Sequence, residues 1–180
     1  MSGSGWTSTS MPYLTPRATG APDAWTEEAR AAGRHGGQRI VRAGETPASA
    51  EVAELLGVDE GATVVVRRRI IELGGQPCEL TDTFYPAHIA SGTPLAGTAK
   101  IRGGAVTLLA SLGHVGTRVV ETVSARMPSD EEREQLGLGR EEPVLCINRV
   151  TYDAGDAALQ ADLMLMPATR QQLRYETRIG

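Results

Sequence analysis

Hydrophobic residues along this chain fall into runs separated by short, glycine-rich breaks. Residues 63–73 are rich in β-branched side chains, and the turn sequence GGQP joins them to a second such run at residues 78–85. Two such runs joined by a short glycine-containing turn are typical of a β-hairpin. The same pattern predicts a strand over residues 117–127 and a closing hairpin made by residues 143–153 and 158–166.

Helical patterns occupy the gaps between these strands. Helices are predicted over residues 23–33, 47–57, 103–113 and 128–139, each closed by a glycine. The last of them carries Ser129 and, three residues later, Glu132, which is the spacing of a capping box. A further strand is predicted over Gln38–Arg42, and residues 169–180 are predicted to form a helix or a strand extension. Strands joined by short turns pair antiparallel and need helices to cover a face, so the predicted fold class is α+β with about five to six strands.

The N-terminal residues lack a sustained hydrophobic period and are rich in Ser, Thr, Gly and Pro. Such a composition favours a linker over a packed core. Residues 1–22 are therefore predicted to be a flexible linker or tail, in which Trp6 and Tyr13 are the aromatic residues. One folded domain is expected over residues 23–180.

The charge balance argues against direct binding to nucleic acid. The chain has 18 Lys and Arg residues against 22 Asp and Glu, for a net charge of −4, whereas affinity for nucleic acid comes mainly from cations that neutralise phosphates. No run of about 18 apolar residues could span a bilayer, and the N-terminus lacks the pattern of a signal peptide. We therefore expect a cytoplasmic protein with no membrane partner, in which Cys78 and Cys146 stay reduced.

Motifs for catalysis and for metal binding are missing from the sequence. His35, His88 and His114 lie far apart, and none belongs to a metal-ligand motif. The paired glycines lack the spacing of a phosphate-binding or dinucleotide-binding loop, and no nucleophile stands in an elbow sequence. No metal, no cofactor and no catalytic residue is expected.

Three consecutive arginines, Arg67, Arg68 and Arg69, lie in the middle of the strand predicted over residues 63–73. Alternation along a strand sends Arg67 and Arg69 to one face and Arg68 to the other. If the first face is solvated, the run only protects a sheet edge from aggregation; if it lines a cleft, the paired guanidinium groups suit a carboxylate or phosphate ligand. The neighbouring strands would then add hydroxyl, amide, carboxylate and thioether groups to the cleft. These residues are Thr81, Thr83, Gln160, Asp162, Met164 and Met166.

An ordered set of motifs connects the chain to a known family. The hairpin VVVRRRII, ELGGQP and CELTDTFYP is followed by GTPL, and later by GGAVTLLASLGH, TRVVETVSARM and EPVLCINRVTYD. In this order the motifs resemble the UTRA (UbiC transcription regulator-associated) domain, the effector-sensing half of HutC-type regulators of the GntR family. The resemblance extends from about Ala24 to Tyr175.

The resemblance implies a fold similar to that of chorismate lyase, in which helices pack on an antiparallel sheet, and a pocket for a small metabolite effector. Members of the family bind DNA as homodimers through an N-terminal winged helix–turn–helix, and the effector changes their affinity for an operator. Residues 1–22 are too few to hold such a module. The chain is therefore expected to be a sensor fragment or a stand-alone sensor, which forms a homodimer and contacts DNA only through a module absent from this chain.

The resemblance also indicates candidate ligand-binding positions. Trp25 and Thr26 lie in DAWTEE, which resembles a family loop that binds anionic groups at a helix N-terminus. Arg69 matches the first arginine of an R-x-R pair in members that sense amino-sugar phosphates. Their other pocket positions correspond to Ile71, Thr81, Gly104, Gln160 and Met166, where the family residue is replaced. These replacements imply a less anionic or larger effector. The predicted ligand-binding residues are Trp25, Thr26, Arg67, Arg69, Thr81, Thr83, Gly104, Gln160, Asp162 and Met166.

Two other functions stay open at this point. An enzyme related to chorismate lyase would need cations for two carboxylates and an acid to assist the elimination. Arg69 with Arg67 or Arg118 could supply the cations. Glu121 or Asp162 could supply the acid. The other alternative is a dimerisation domain with a vestigial pocket, whereas our main prediction is a sensor domain without catalysis.

Overall fold

The computed structural model describes residues 6–8, 13–18 and 21–176. Within them a six-stranded antiparallel sheet carries helices on both faces, so the predicted α+β class is confirmed. The strands are β1 (Trp6–Ser8), β2 (Gly36–Pro47), β3 (Thr63–Leu73), β4 (Gln76–Pro86), β5 (Arg118–Arg126), β6 (Val144–Tyr152), β7 (Ala158–Pro167) and β8 (Gln171–Leu173). The helices are α1 (Ala24–Ala31), α2 (Ala50–Leu56), α3 (Ala87–Ala90), α4 (Gly104–Ser111) and α5 (Asp130–Leu136), with a 3-10 helix at Pro94–Ala96.

The main sheet has the strand order β2-β3-β4-β7-β6-β5, and every neighbouring pair is antiparallel. The hairpins predicted for β3 with β4 and for β6 with β7 are both confirmed. β1 and β8 form a separate parallel pair. The three arginines of β3 therefore lie on an inner strand, not at an edge of the sheet.

Local sequence signals explain where most elements begin and end. The capping box of Ser129 and Glu132 is present at the start of α5. Ser49 caps α2, which ends at Gly57 in a left-handed conformation (φ 66°). β2 is longer than the strand predicted over Gln38–Arg42, because it pairs with β3 along its whole length. Three elements had no periodicity to predict them, namely β1, α3 and the 3-10 helix, whereas β8 lies within the helix or strand extension predicted over residues 169–180.

One face of the main sheet, called the back face here, carries Arg68 and Asp82 and is covered by α2 and α5. Apolar side chains of α2 and of the sheet pack together in one cluster: Val52, Ala53, Leu56, Val64, Val150 and Ala161. Leu136 of α5 packs with Val144 in a second cluster. Burying each large apolar side chain stabilises the fold by about 1.5–3 kcal/mol.

The opposite face, called the front face here, is only partly filled by apolar residues. α3, the 3-10 helix and α4 cover one end of it in a cluster with the sheet: Val65, Tyr85, Ile89, Ala90, Leu95, Leu109 and Leu159. A smaller cluster of Ile147, Met164 and Met166 lies nearer the other end. Polar side chains of β3, β4 and β7 occupy the rows between these clusters, and they form the floor of the candidate site.

Candidate functional site

A cavity of about 170 Å³ lies on the front face. Its floor comes from β2, β3, β4, β6 and β7, and its walls come from the starts of α1 and α4 and from residues 13–17. Every predicted ligand-binding residue except Thr26 lines this cavity. Those residues are Trp25, Arg67, Arg69, Thr81, Thr83, Gly104, Gln160, Asp162 and Met166.

Thr26 lies outside the cavity lining because it belongs to the N-terminal cap of α1. Its backbone N–H donates to Asp23 Oδ1 at 2.9 Å, and its hydroxyl donates to the same carboxylate at 3.0 Å. Lys100 also pairs with Asp23, at 3.0 Å. These hydrogen bonds lower the pKa of the Asp23 carboxyl, although its burial acts in the opposite direction. Thr26 thus stabilises the helix start that places Trp25 at the cavity.

Arg67 is buried, with 4% of its surface exposed, and its guanidinium is occupied by one loop. It donates to the backbone carbonyl groups of Pro94 (3.1 Å), Leu95 (3.2 Å), Gly97 and Ala99 (3.2 Å). Burial lowers the pKa of Arg67. Arg67 borders the cavity, but its hydrogen bonds hold residues 94–99 on the sheet.

Arg68 and Arg69 differ from Arg67 and from each other. Arg68 lies on the back face, where its Nη2 donates to Asp82 at 2.6 Å. Arg69 returns to the front face, and its Nη2 donates to Thr83 Oγ1 at 2.9 Å. Arg69 Nε is enclosed and has no hydrogen-bond partner among the described residues. Alternation separated the three side chains correctly, and Arg69 is the cation that keeps donors for a ligand.

A chain of hydrogen bonds, called the polar chain here, connects Arg69, Thr83, Asp162 and Gln160 across β3, β4 and β7. The Thr83 hydroxyl donates to Asp162 Oδ1 at 2.6 Å, and Gln160 Nε2 donates to Asp162 Oδ2 at 2.9 Å. The strand register explains the first contact, because Thr83 and Asp162 are direct partners. Thr83, Asp162 and Gln160 are only 1%, 5% and 7% exposed, so these polar groups depend on one another for hydrogen bonds.

The sequence prediction missed four charged residues of the cavity lining, Arg17, Asp23, Glu79 and Arg149, of which Glu79 and Arg149 lie on the strands of the floor. Glu79 accepts a hydrogen bond from the Thr81 hydroxyl, and burial raises the pKa of its carboxyl. Arg149 donates through Nε to Glu121 at 2.6 Å. Alternation could have found Glu79, since it lies two positions from Thr81 on β4. Arg149 reaches the cavity because β7 pairs with β4 and so joins the two hairpins, a pairing that the sequence does not specify.

Trp25 is fixed by its indole N–H. This group donates to the backbone oxygens of Gly37 and Glu72, at 3.1 Å in both cases. Gly36 permits the close approach, because a Cβ at that position would lie 2.9 Å from the indole nitrogen. The Trp6 ring packs edge-on against Trp25, with 5.3 Å between ring centroids. Trp25 therefore offers ring surface rather than a hydrogen bond to the cavity.

The N-terminal segment (residues 13–17), which composition assigned to a linker or tail, forms one wall of the cavity. The Tyr13 hydroxyl donates to Glu28 of α1, and burial raises the pKa of Tyr13. The backbone N–H of Arg17 donates to Thr107 Oγ1 of α4 at 3.0 Å. The segment thereby connects the two helices that border the cavity.

The start of α4 gives the cavity a second positive pole. Gly103 and Gly104 both adopt left-handed backbone conformations, with φ values of 75° and 85°. Both glycines line the cavity, and no side chain caps the helix. The first turn of a helix presents N–H groups and a partial positive charge, which favour an anion. This supports the prediction for Gly104, although its contact with a ligand stays a prediction.

Other chemistry has little support in the described part of the chain. No group of His, Cys, Asp and Glu among the described residues could hold a metal ion. No helix there is long and apolar enough to cross a membrane. Cys78 lines the cavity as a free thiol, and burial raises its pKa to about 12. The thiol is therefore neutral, and a neutral thiol is a poor nucleophile.

Known proteins with similar sequences are transcriptional regulators. The chain is 32% identical over 136 residues to the HTH-type transcriptional repressor PhnF of Mycolicibacterium smegmatis. This alignment covers 76% of this chain and 55% of PhnF. It is also 32% identical over 136 residues to SCO4628, an uncharacterized HTH-type transcriptional regulator of Streptomyces coelicolor. That alignment covers 73% of this chain and 50% of SCO4628. The chain thus spans about half the length of the curated relatives it matches.

Solved structures agree with these sequence matches. The crystal structure of the effector domain of PhnF from Mycobacterium smegmatis has a TM-score of 0.74 and 28% identity, over 92% of this chain and 99% of that domain. A GntR-family transcriptional regulator from Bacillus cereus shares the fold, with a TM-score of 0.69 and 18% identity over 81% of this chain and 99% of that one. Residues 31–172 match the UTRA domain family. The chain therefore belongs to the UTRA domain family, the effector-binding domains of GntR-type transcriptional regulators.

Proposed function

We propose that this chain is the metabolite-sensing and dimerisation domain of a HutC-like regulator, and that it controls DNA binding by a separate helix–turn–helix module in the cytoplasm. The observation that carries the proposal is the front-face cavity, whose lining gathers all but one of the predicted ligand-binding residues. A metabolite held there would contact the sheet, α1, α4 and the N-terminal segment together. Its binding would favour one arrangement of these elements over others, and a regulator needs such a preference.

The proposal excludes catalysis, and the geometry of the cavity supports this. The chorismate lyase alternative requires two cationic positions for two carboxylates. Arg67 is occupied by backbone carbonyl groups, and Arg118 pairs with Asp156 at 2.9 Å outside the cavity lining. Arg69 is left as the candidate cation of that set. The relatives with similar sequences are also transcriptional regulators by name.

We also propose that the domain forms a homodimer. β5 is the last strand of the main sheet, and no described strand pairs with its outer edge. Val120, Val123 and Met127, on and beside β5, are 44%, 44% and 51% exposed. Exposed apolar side chains along an open edge favour association with a second chain. Analytical ultracentrifugation should show a dimer; a monomer at every concentration tested would contradict this part of the proposal.

The experiment that tests the sensing function is a thermal-shift screen of the purified chain. The library contains sugars, sugar phosphates, amino acids, hydroxy acids, aromatic acids and chorismate. A ligand that binds only the folded state must raise Tm, so at least one class should do so. A compound that raises Tm of the wild-type chain should not raise Tm of Arg69→Ala. It should still raise Tm of Arg68→Ala, the matched variant on the back face. A folded dimer that responds to no compound would favour the vestigial pocket, and turnover of chorismate would favour the enzyme.

A further inference from the structure

The polar chain on the cavity floor has a fixed direction. An ionised carboxylate only accepts hydrogen bonds, so the Gln160 amide must present its NH₂ group to Asp162 and turn its oxygen away. Thr83 has a single hydroxyl proton, which it gives to Asp162 at 2.6 Å. Its oxygen is therefore left to accept the hydrogen bond from Arg69. All donors of the chain point towards Asp162, and none of its members can reverse without breaking another bond.

Each end of the polar chain has an atom without a hydrogen-bond partner. Gln160 Oε1 and Arg69 Nε are enclosed atoms without a hydrogen-bond partner among the described residues. Gln160 is 7% exposed and lines the cavity, and its Oε1 is a buried acceptor without a donor. Arg69 carries five N–H donors, and one of them donates to Thr83. The cavity therefore lacks one hydrogen-bond donor and at least one acceptor.

Arg67 shows that the protein satisfies a buried arginine when no ligand is needed. It lies two residues from Arg69 on the same strand face, and four backbone carbonyl groups accept its hydrogen bonds. No loop supplies carbonyl groups to Arg69 in this way in the described chain. The missing acceptors thus belong to the cavity and are not a general property of the strand.

The charges around the floor limit the kind of anion that Arg69 can receive. Asp162 and Glu79 both line the cavity. Their carboxyl groups would repel a ligand with two negative charges, because like charges at short range in a partly buried site are costly. Arg17 and Arg149 also line the cavity, and Arg17 Nε is likewise enclosed without a hydrogen-bond partner, but these arginines pair with Glu27 and Glu121. A single carboxylate therefore matches Arg69, which has no acidic partner among the ion pairs of the described residues. The N-terminus of α4 adds N–H groups that favour the same negative charge.

We infer that the effector is a small molecule with a single carboxylate, bound by Arg69, and a hydroxyl or ammonium donor, bound by Gln160 Oε1. This inference rests on the proposed sensing function. It narrows the effector class to hydroxy acids, sugar acids and amino acids. Arg69 and Gln160 are then the specificity-determining residues, and Thr83 and Asp162 hold them in position.

The first test compares four probes on the wild-type chain by isothermal titration calorimetry. Gluconate offers a carboxylate with hydroxyl donors, and L-serine offers a carboxylate with an ammonium donor. Acetate carries the anion alone, and glucose carries the hydroxyl donors alone. Gluconate or L-serine should bind at least about tenfold more tightly than acetate and glucose, because only they satisfy both ends of the polar chain. Which of the two binds identifies the donor, and equal affinity for all four probes would overturn the inference.

Variants then assign each end of the polar chain. Gln160→Met keeps the size of the side chain but removes the acceptor. It should lower the affinity for the more tightly bound of gluconate and L-serine by about 10- to 100-fold. Arg69→Gln should lower the affinity for the same probe by a similar factor. Arg68→Gln, the control on the back face, should leave its affinity within about twofold. Circular dichroism checks that each variant folds, and the four-probe comparison decides the question even where one does not.

The possible failures are distinguishable. If neither gluconate nor L-serine binds while another class of the metabolite screen raises Tm, this inference is wrong and the sensing function stands. If no compound raises Tm, both fail. If Gln160→Met leaves the affinity unchanged, Gln160 does not determine specificity.

Discussion

The two faces of the main sheet contain similar residue types but use them in different ways. On the back face Arg68 and Asp82 pair near solvent at 2.6 Å, beside apolar clusters under α2 and α5. On the front face Thr83 and Asp162 are buried and bonded to each other. A solvated ion pair contributes little to stability, whereas buried polar groups are costly unless all their hydrogen bonds are made. The front face bears this cost, and its buried polar groups line the candidate site.

The largest expected effect comes from Arg67→Ala. This change removes hydrogen bonds to the loop at residues 94–99 and leaves its carbonyl groups without donors, so the free energy of unfolding should fall by about 3 kcal/mol or more. Urea denaturation measures it. Arg68→Ala is the matched control and should cost less than about 1 kcal/mol. Equal losses in the two variants would remove the contrast between the faces.

Thr83→Val should have the next largest effect. Valine keeps the shape and the β-propensity of threonine, but it breaks the link between Arg69 and Asp162. We expect a loss of about 1–3 kcal/mol in the free energy of unfolding. Thr122→Val, at an exposed position of β5, should change it by no more than about 0.5 kcal/mol. If Thr83→Val left the free energy of unfolding unchanged, the polar chain would not contribute to the stability of the folded state.

Glu79→Gln should stabilise the protein, in contrast to the two preceding variants. Burial raises the pKa of Glu79, so the folded state holds this proton more tightly than the unfolded chain does. The contribution of Glu79 to stability therefore falls as pH rises from the ordinary carboxyl pKa through the raised value. Glu79→Gln should increase the free energy of unfolding at neutral pH and have little effect below the ordinary value. Thermal denaturation as a function of pH checks this, and a destabilised variant at neutral pH would contradict it.

Glu132→Gln, on the back-face side, should give the smallest effect and the reverse pH dependence. Hydrogen bonds from Arg126 lower the pKa of Glu132 to about 2. Its contribution is therefore present above the ordinary carboxyl pKa and is lost as pH falls towards 2. Because the pair is largely solvated, the loss at neutral pH should stay below about 1 kcal/mol. The same pH series used for Glu79→Gln measures it, and a loss that persists at pH 2 would exclude the ion pair as its cause.

The predicted site was more complete on the sheet than around it. Thr81, Thr83, Gln160 and Asp162 line the cavity because period-two alternation assigns strand residues to faces without knowledge of the fold. Thr26 was assigned to the site by likeness of a short loop, yet its hydrogen bonds go to Asp23. The wall formed by the N-terminal segment carried no periodic signal. Its contacts join residues far apart in sequence, and composition does not report such contacts.

The sequence by itself determined the elements whose signals are local. β-branched runs and short turns specified the two hairpins, glycines and a capping box specified helix ends, and alternation separated Arg68 from Arg67 and Arg69. Only the tertiary structure decided what each front-face side chain does. It brought carbonyl groups to Arg67, left donors of Arg69 unused, and placed residues 13–17 over the floor. The physical reason is range: hydrogen-bonded turns and periodicity act over a few residues, whereas the partners of a buried polar group are chosen by packing across the whole domain.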